Sequence, residues 1–141
     1  MAIKNKMTMS FISCSENVGI ARITAAAFAA QADFTLSEIE EIKVAVSEAI
    51  SNAIIHGYGH QDGQIQFEMT LYEEKLECLI IDYGKGIADI ALARQPAFST
   101  DPERMGLGFV FMESFMDELD VKSGVGQGTT VKMGKMITKV H

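Results

Sequence analysis

Four short polar clusters punctuate an otherwise apolar chain, and their order restricts the folds it can adopt. They run Glu48 to Asn52, Asp82-Tyr83-Gly84-Lys85-Gly86, Gly106-Leu107-Gly108 and Gly126-Gln127-Gly128-Thr129-Thr130. Glycine lets backbone approach a ligand closely, helix N-termini favour anions, and a carboxylate beside a carboxamide can handle a proton and a metal. Together the clusters describe a nucleotide site.

The segments between them supply the scaffold. Lys6 to Ile12 places Met7, Met9 and Phe11 on one face at period two, which predicts a strand. Ser15 and Asn17 precede an alanine-rich helix over Val18 to Ala32. Thr35, with Glu38 three residues on, reads as a capping box for a second helix that runs to about Ile55 and ends at Gly57. A hairpin follows, from Gly63 to Tyr72 and from Lys75 to Asp82, with Leu79-Ile80-Ile81 marking a central strand. Between Gly84 and Met105 lie both prolines and a short helix near Ile87 to Ala93. Gly106 then begins a helix with Leu107, Val110, Phe111 and Phe115 on one side, and Glu118 to Lys122 with Thr129 to Met133 form a closing hairpin. This order is not the steady alternation of a doubly wound sheet. It predicts an α+β two-layer sandwich, a single domain over 1–141.

At 141 residues, 48% apolar and 22% charged, the chain can bury one sizeable core. No apolar run reaches the roughly 18 residues of a membrane span, and no signal-type stretch follows the start, so a cytoplasmic protein with no membrane partner is expected. A net charge of −7 argues against direct nucleic-acid binding and suits a basic protein partner. Cys14 and Cys78 sit in apolar segments without motif spacing and read as reduced packing residues.

On the second helix Ile39, Ile42, Val46, Ile50 and Ala53 should face the sheet, while Glu48 and Asn52 point nearly opposite. In a partly apolar pocket the Glu48 carboxyl can serve as a general base, and the Asn52 oxygen suits magnesium bridged to phosphates. Asp82, at a strand end before two glycines, can accept a hydrogen bond from an amino group such as that of adenine. Gly106 and Gly108 resemble an anion cradle, and one of Thr129 and Thr130 should point toward whatever Asp82 binds. Arg104 precedes the cradle and can reach a terminal phosphate bidentately, and His56 ends the helix near Asn52. Singly, each cluster also fits a solvated helix face or a plain turn. Their order and spacing carry the inference.

Over nearly its whole length the chain resembles the GHKL ATPases, whose domain is the Bergerat fold with a mixed, mainly antiparallel sheet covered on one face by helices. Val46-Ser47-Glu48-Ala49-Ile50-Ser51-Asn52-Ala53-Ile54-Ile55-His56-Gly57-Tyr58 is similar to the N-box of the small serine kinases that act as anti-sigma factors. Ala93-Arg94-Gln95-Pro96 and Phe115-Met116-Asp117-Glu118 resemble the sporulation members of that family. The resemblance implies a homodimer that holds the sporulation sigma factor F inactive. It also implies a serine/threonine-protein kinase that uses Mg-ATP, with ADP as product, to phosphorylate a serine of a STAS-domain anti-anti-sigma factor. Carried over by position, Glu48 is the general base, Asn52 the magnesium ligand, and Asp82 the adenine reader supported by Thr130. Gly84 and Gly86 shape the adenine pocket, Gly106, Leu107 and Gly108 line the phosphates, Arg104 approaches the γ-phosphate, and Arg22 contacts both protein partners. The alternatives are a nucleotide-gated sigma-binding module without significant kinase activity and, ranked last, the detached catalytic domain of a histidine kinase, for which no segment is left to form a dimerisation helix pair.

Overall fold

A computed structural model describes residues 2–94 and 105–138. Five strands form a single sheet in the order β1-β2-β3-β5-β4: β1 Ile3–Ile12, β2 Gln64–Tyr72, β3 Lys75–Asp82, β4 Glu118–Ser123 and β5 Thr129–Met136. All these pairings are antiparallel, so the parallel component expected of a mixed sheet is absent among the described residues. The α+β sandwich stands. Its helices are α1 Glu16–Ala29, α2 Leu36–Asn52, α3 Ile90–Ala93 and α4 Met105–Phe115.

Strict alternation along the strands creates the two layers. On β2, Ile65, Phe67, Met69 and Leu71 are buried, and on β3 Leu76, Cys78, Ile80 and Asp82 are buried. The opposite face carries Glu68, Thr70, Glu77 and Lys132, with Lys75 bridging Glu77 and Glu118. Phe67 is fully inside, and burial of such a side chain contributes roughly 1.5–3 kcal/mol. Cys78 is also enclosed, and burial pushes its thiol up to about 12, consistent with an inert packing role; Cys14 is half-buried and accepts a hydrogen bond from the Asn17 amide.

The helix α2 lies between α1 and α4 on the sheet. Ile42, Val46 and Ile50 of the expected stripe are buried, as are Ala45 and Ala49, because neighbours on both sides widen the apolar face. Its N-terminus is closed by the capping box: Thr35 Oγ1 accepts from Glu38 N at 3.1 Å, and Glu38 Oε1 accepts from Thr35 N at 2.8 Å. Its C-terminus differs from the expected α-helical stop at Gly57. The chain continues as a π-helical turn, Ala53–Gly57, with Tyr58 N bonded to Ala53 O, and the left-handed residues come later, at Gly59 and His60.

In α4 the large buried side chains are Phe109 and Met112, followed by Met116 just beyond the helix, whereas Leu107, Val110, Phe111 and Phe115 are only half-buried. The helix is apolar on nearly every side, so periodicity could not single out the face that docks. Phe111 and Phe115 stack on each other instead, with centroids 6.0 Å apart.

Thr35→Ala removes one half of the capping box at an exposed site without opening the core. It is expected to lower unfolding free energy by about 1 kcal/mol, read from the urea midpoint at unchanged slope.

Candidate functional site

The end of β3 is where the clusters meet. Asp82 is buried, and its Oδ1 accepts from Gly84 N at 2.9 Å while the carboxylate also accepts from Thr129 N. Burial pushes the Asp82 carboxyl above its ordinary range, and the two backbone donors offset part of that rise. The surrounding glycines are steric requirements. A Cβ on Gly57 would stand 2.8 Å from Asp82 Oδ1, one on Gly84 2.0 Å from Gly57 O, and one on Gly128 2.1 Å from Asp82 O. Gly86 and Gly128 also have φ of +77° and +79°, a conformation side chains disfavour.

Two polar side chains outside the sequence expectations lock this corner. Ser123 Oγ accepts from Ile87 N at 2.7 Å and donates to Gly128 O at 2.8 Å, joining the loop after β3 to the β4–β5 hairpin. Tyr58 OH accepts from Tyr83 N at 2.7 Å and donates to Gln64 O at 2.5 Å, holding the end of β3 against the start of β2. Both act through contacts distant in sequence, and no local spacing marks them. Gly57 similarly reads as a helix stop in sequence and proves to be packing against Asp82.

The threonine assignment changes. Register pairs Thr129 with Asp82 and Thr130 with Ile81, so Thr129 shares the helix-covered face with the carboxylate and Thr130 lies on the other face. Support for Asp82 therefore comes from Thr129 and not from Thr130. A one-residue shift reverses side-chain direction in a strand, which sequence alone could not settle here.

Glu48 and Asn52 also depart from a solvated helix face. A Cβ on Gly108 would lie 3.0 Å from Glu48 Oε2 and 3.3 Å from Asn52 Nδ2, so both side chains point into the seam between α2 and α4. Burial pushes the Glu48 carboxyl upward. Asn52 Nδ2 is buried without a hydrogen-bond partner among the described residues. An unsatisfied buried amide costs about 1–3 kcal/mol, and a ligand oxygen beside the α4 N-terminus would satisfy it. The donor chemistry fits a phosphate and a magnesium ion: an amide with both an oxygen and an N–H, a carboxylate, and two glycines at the start of a helix.

A narrow cleft lined by Asn52, His56, Gly57, Asp82, Gly86 and Thr129 joins the Asp82 corner to Asn52. It holds about 20 Å³, far less than the roughly 300–1,000 Å³ of ligand pockets. Gly106, Leu107 and Gly108 begin α4 beyond it. A roomier groove of about 320 Å³ opens at the start of α1, between Glu16, His60 and Asp62, but no metal-binding cluster is found among the described residues. Arg22 is exposed on α1, flanked by exposed Ile20 and Ile23 and apart from the nucleotide cluster. Arg104 lies outside the described residues.

Comparison with known proteins agrees with this geometry. A family model of the histidine kinase-like ATPase domain matches residues 13–135. The RsbU and RsbW domains of Rv1364c from Mycobacterium tuberculosis superpose with a TM-score of 0.67 at 20% identity, over 94% of this chain and 32% of that one. The blue-light activated histidine kinase EL346 of Erythrobacter litoralis gives 0.56 at 25% identity, over 74% of this chain and 32% of that one. Fold and site thus define a histidine kinase-like ATPase domain. Among curated relatives, the anti-sigma F factor of Thermoanaerobacter sp. strain X514 is 49% identical over 97% of each chain. Those of Geobacillus sp. strain WCH70 and Bacillus velezensis are 49% and 45% identical over 97% of this chain and 96% of each of theirs. The chain belongs to the anti-sigma F factor family.

The buried carboxyl of Asp82 sets a pH dependence. Because its folded-state pKa is raised, the folded protein holds that proton more tightly than the unfolded chain, and stability falls as pH rises from the ordinary carboxylate range through the raised value. Asp82→Asn removes this loss. In denaturation of the nucleotide-free protein, the variant is expected to gain on wild type as pH rises through that window, and a difference independent of pH would contradict the assignment.

Proposed function

We propose that the chain, 1–141, is a single nucleotide-binding domain that inhibits sporulation sigma factor F and, with Mg-ATP, phosphorylates a serine of a STAS-domain anti-anti-sigma protein. The observation that carries this reading is the pairing of Glu48 with the unpartnered Asn52 amide across from Gly108. Full-length similarity to proteins named anti-sigma F factor supports the sigma-binding part. No helix among the described residues is long and apolar enough to cross a membrane.

Asp82 accepts the amino group of adenine, and its backbone donors hold the carboxylate in the orientation that reads that edge. Gly57, Gly84 and Gly86 leave room for the ring where side chains would intrude. Backbone N–H groups at Gly106, Leu107 and Gly108 turn the positive end of α4 toward the phosphates. The Asn52 oxygen would hold a magnesium ion, which would supply positive charge against the triphosphate. Glu48 takes the proton of the incoming serine hydroxyl, and burial, which raises its pKa, makes its carboxylate a stronger base. Arg104 offsets the charge that develops on the transferred phosphoryl group. ADP remains in the site after transfer. Arg22, beside the exposed Ile20 and Ile23, offers the two protein partners a cation on an apolar helix face, and a homodimer presents two such faces.

Labelled γ-phosphate from Mg-ATP is expected on the cognate anti-anti-sigma protein, stable to acid as phosphoserine is. In Glu48→Gln, transfer is expected to fall by about 10²–10⁴-fold with nucleotide binding retained. Nucleotide and sigma binding without label in wild type would favour a nucleotide-gated binding module.

A further inference from the structure

Lys135 is the one lysine among the buried polar residues of the described chain, only 7% exposed, on the helix-covered face of β5. Lysine is rarely enclosed to this degree unless paired. Its Nζ donates to Glu41 Oε1 at 3.1 Å and to the main-chain oxygen of Phe115. Glu41 belongs to α2, and Phe115 is the last residue of α4, whose terminal carbonyls lack partners within the helix. One ammonium therefore ties both helices to the sheet, at a helix end where positive charge is favoured.

The spacing gives this contact its consequence. Glu41 and Glu48 are seven residues apart on α2, and Gly108 and Phe115 are seven apart on α4. Seven residues are about two turns, or about 10 Å, so each pair lies on one helix face. Glu48 meets Gly108 and Glu41 meets Phe115 through Lys135, which makes the helices antiparallel with matched spans. The chain after α4 is also fixed to β5, through Asp117 N to Gly134 O and Met136 N to Asp117 Oδ2. Those bonds do not reach α2. The axial register of α4 against α2 is held at its far end by Lys135, and a slip of one residue would move Gly108 about 1.5 Å past side chains that already lie 3.0–3.4 Å from its Cβ position.

We propose that Lys135, with Glu41, is a positioning pair that sets the α4 N-terminus for the phosphate groups of the nucleotide, about two turns from where it acts. The inference rests on the nucleotide-binding reading of the site. It assigns the pair no contact with nucleotide and no influence on the Asp82 corner, which β3, Ser123 and Tyr58 hold independently.

The test compares Mg-ATP with adenosine, since only the former uses the phosphate end. Dissociation constants for both are measured by calorimetry for wild type, Lys135→Met, Glu41→Gln and the double variant, with thermal midpoints recorded alongside. Lys135→Met is expected to weaken Mg-ATP binding about tenfold or more with adenosine affinity nearly unchanged, since small misplacements of binding groups are costly. Glu41→Gln, half-exposed and tolerant of change, should shift the same ratio in the same direction, and the double variant should fall no further than Lys135→Met. If Lys135→Met does not fold, an unchanged ATP-to-adenosine ratio in Glu41→Gln overturns the proposal. Equal weakening of both ligands, or none, also overturns it and leaves Lys135 a structural residue. Failure of wild type to bind either ligand would instead refute the nucleotide reading itself, and the positioning role with it.

Discussion

Burying a carboxylate at the end of a central strand is costly, and much of the architecture follows from how Asp82 is accommodated. Its desolvation is compensated in part by the amides of Gly84, in the loop after β3, and of Thr129, at the start of β5. Those segments reach it only because Gly57, Gly84 and Gly128 carry no side chains at points of contact 2.0–2.8 Å from where a Cβ would sit. The π-helical turn after α2 delivers Gly57 to that place, and Ser123 and Tyr58 fasten the surrounding backbone. A buried acceptor held open in this way is more expensive than an apolar residue would be, and such expense is typical of a binding site and not of a core.

The second demand is the seam between α2 and α4. Glycine at position 108 lets the helices approach until Glu48 and Asn52 lie 3.0–3.4 Å from where a Cβ would sit, and Asn52 Nδ2 has no partner among the described residues. Core packing by Phe109 and Met112 presses the helices together but does not by itself choose an axial register, because apolar contacts are non-directional. Directional bonds from Lys135 to Glu41 and to the end of α4 do. The two halves of the site thus depend on different supports: the Asp82 corner on sheet and loops, the phosphate end on helix register.

Several of these features were legible in the chain itself. The Thr35 capping box, the stripe of Ile42, Val46 and Ile50, the hairpin around Glu73-Glu74 and the packing role of Cys78 depend on neighbours a few residues away. The i,i+4 relation of Glu48 and Asn52 is likewise local, and so is the run of glycines around Asp82. Legibility failed where the partner was remote. The docking face of α4 was not marked, Gly57 looked like a helix stop, and Ser123 and Lys135 gave no signal at all.

The sequence by itself determined the elements, the identity of the chemistry-bearing residues and their order, since propensity, capping and periodicity act over a few bonds. Tertiary structure alone decided which threonine meets Asp82, which face of an all-apolar helix is buried, and where α4 stops against α2. Strand register and helix register are long-range quantities: they are set by pairing between segments distant in the chain, and a one-residue slip changes the neighbours of every side chain while leaving local propensities the same.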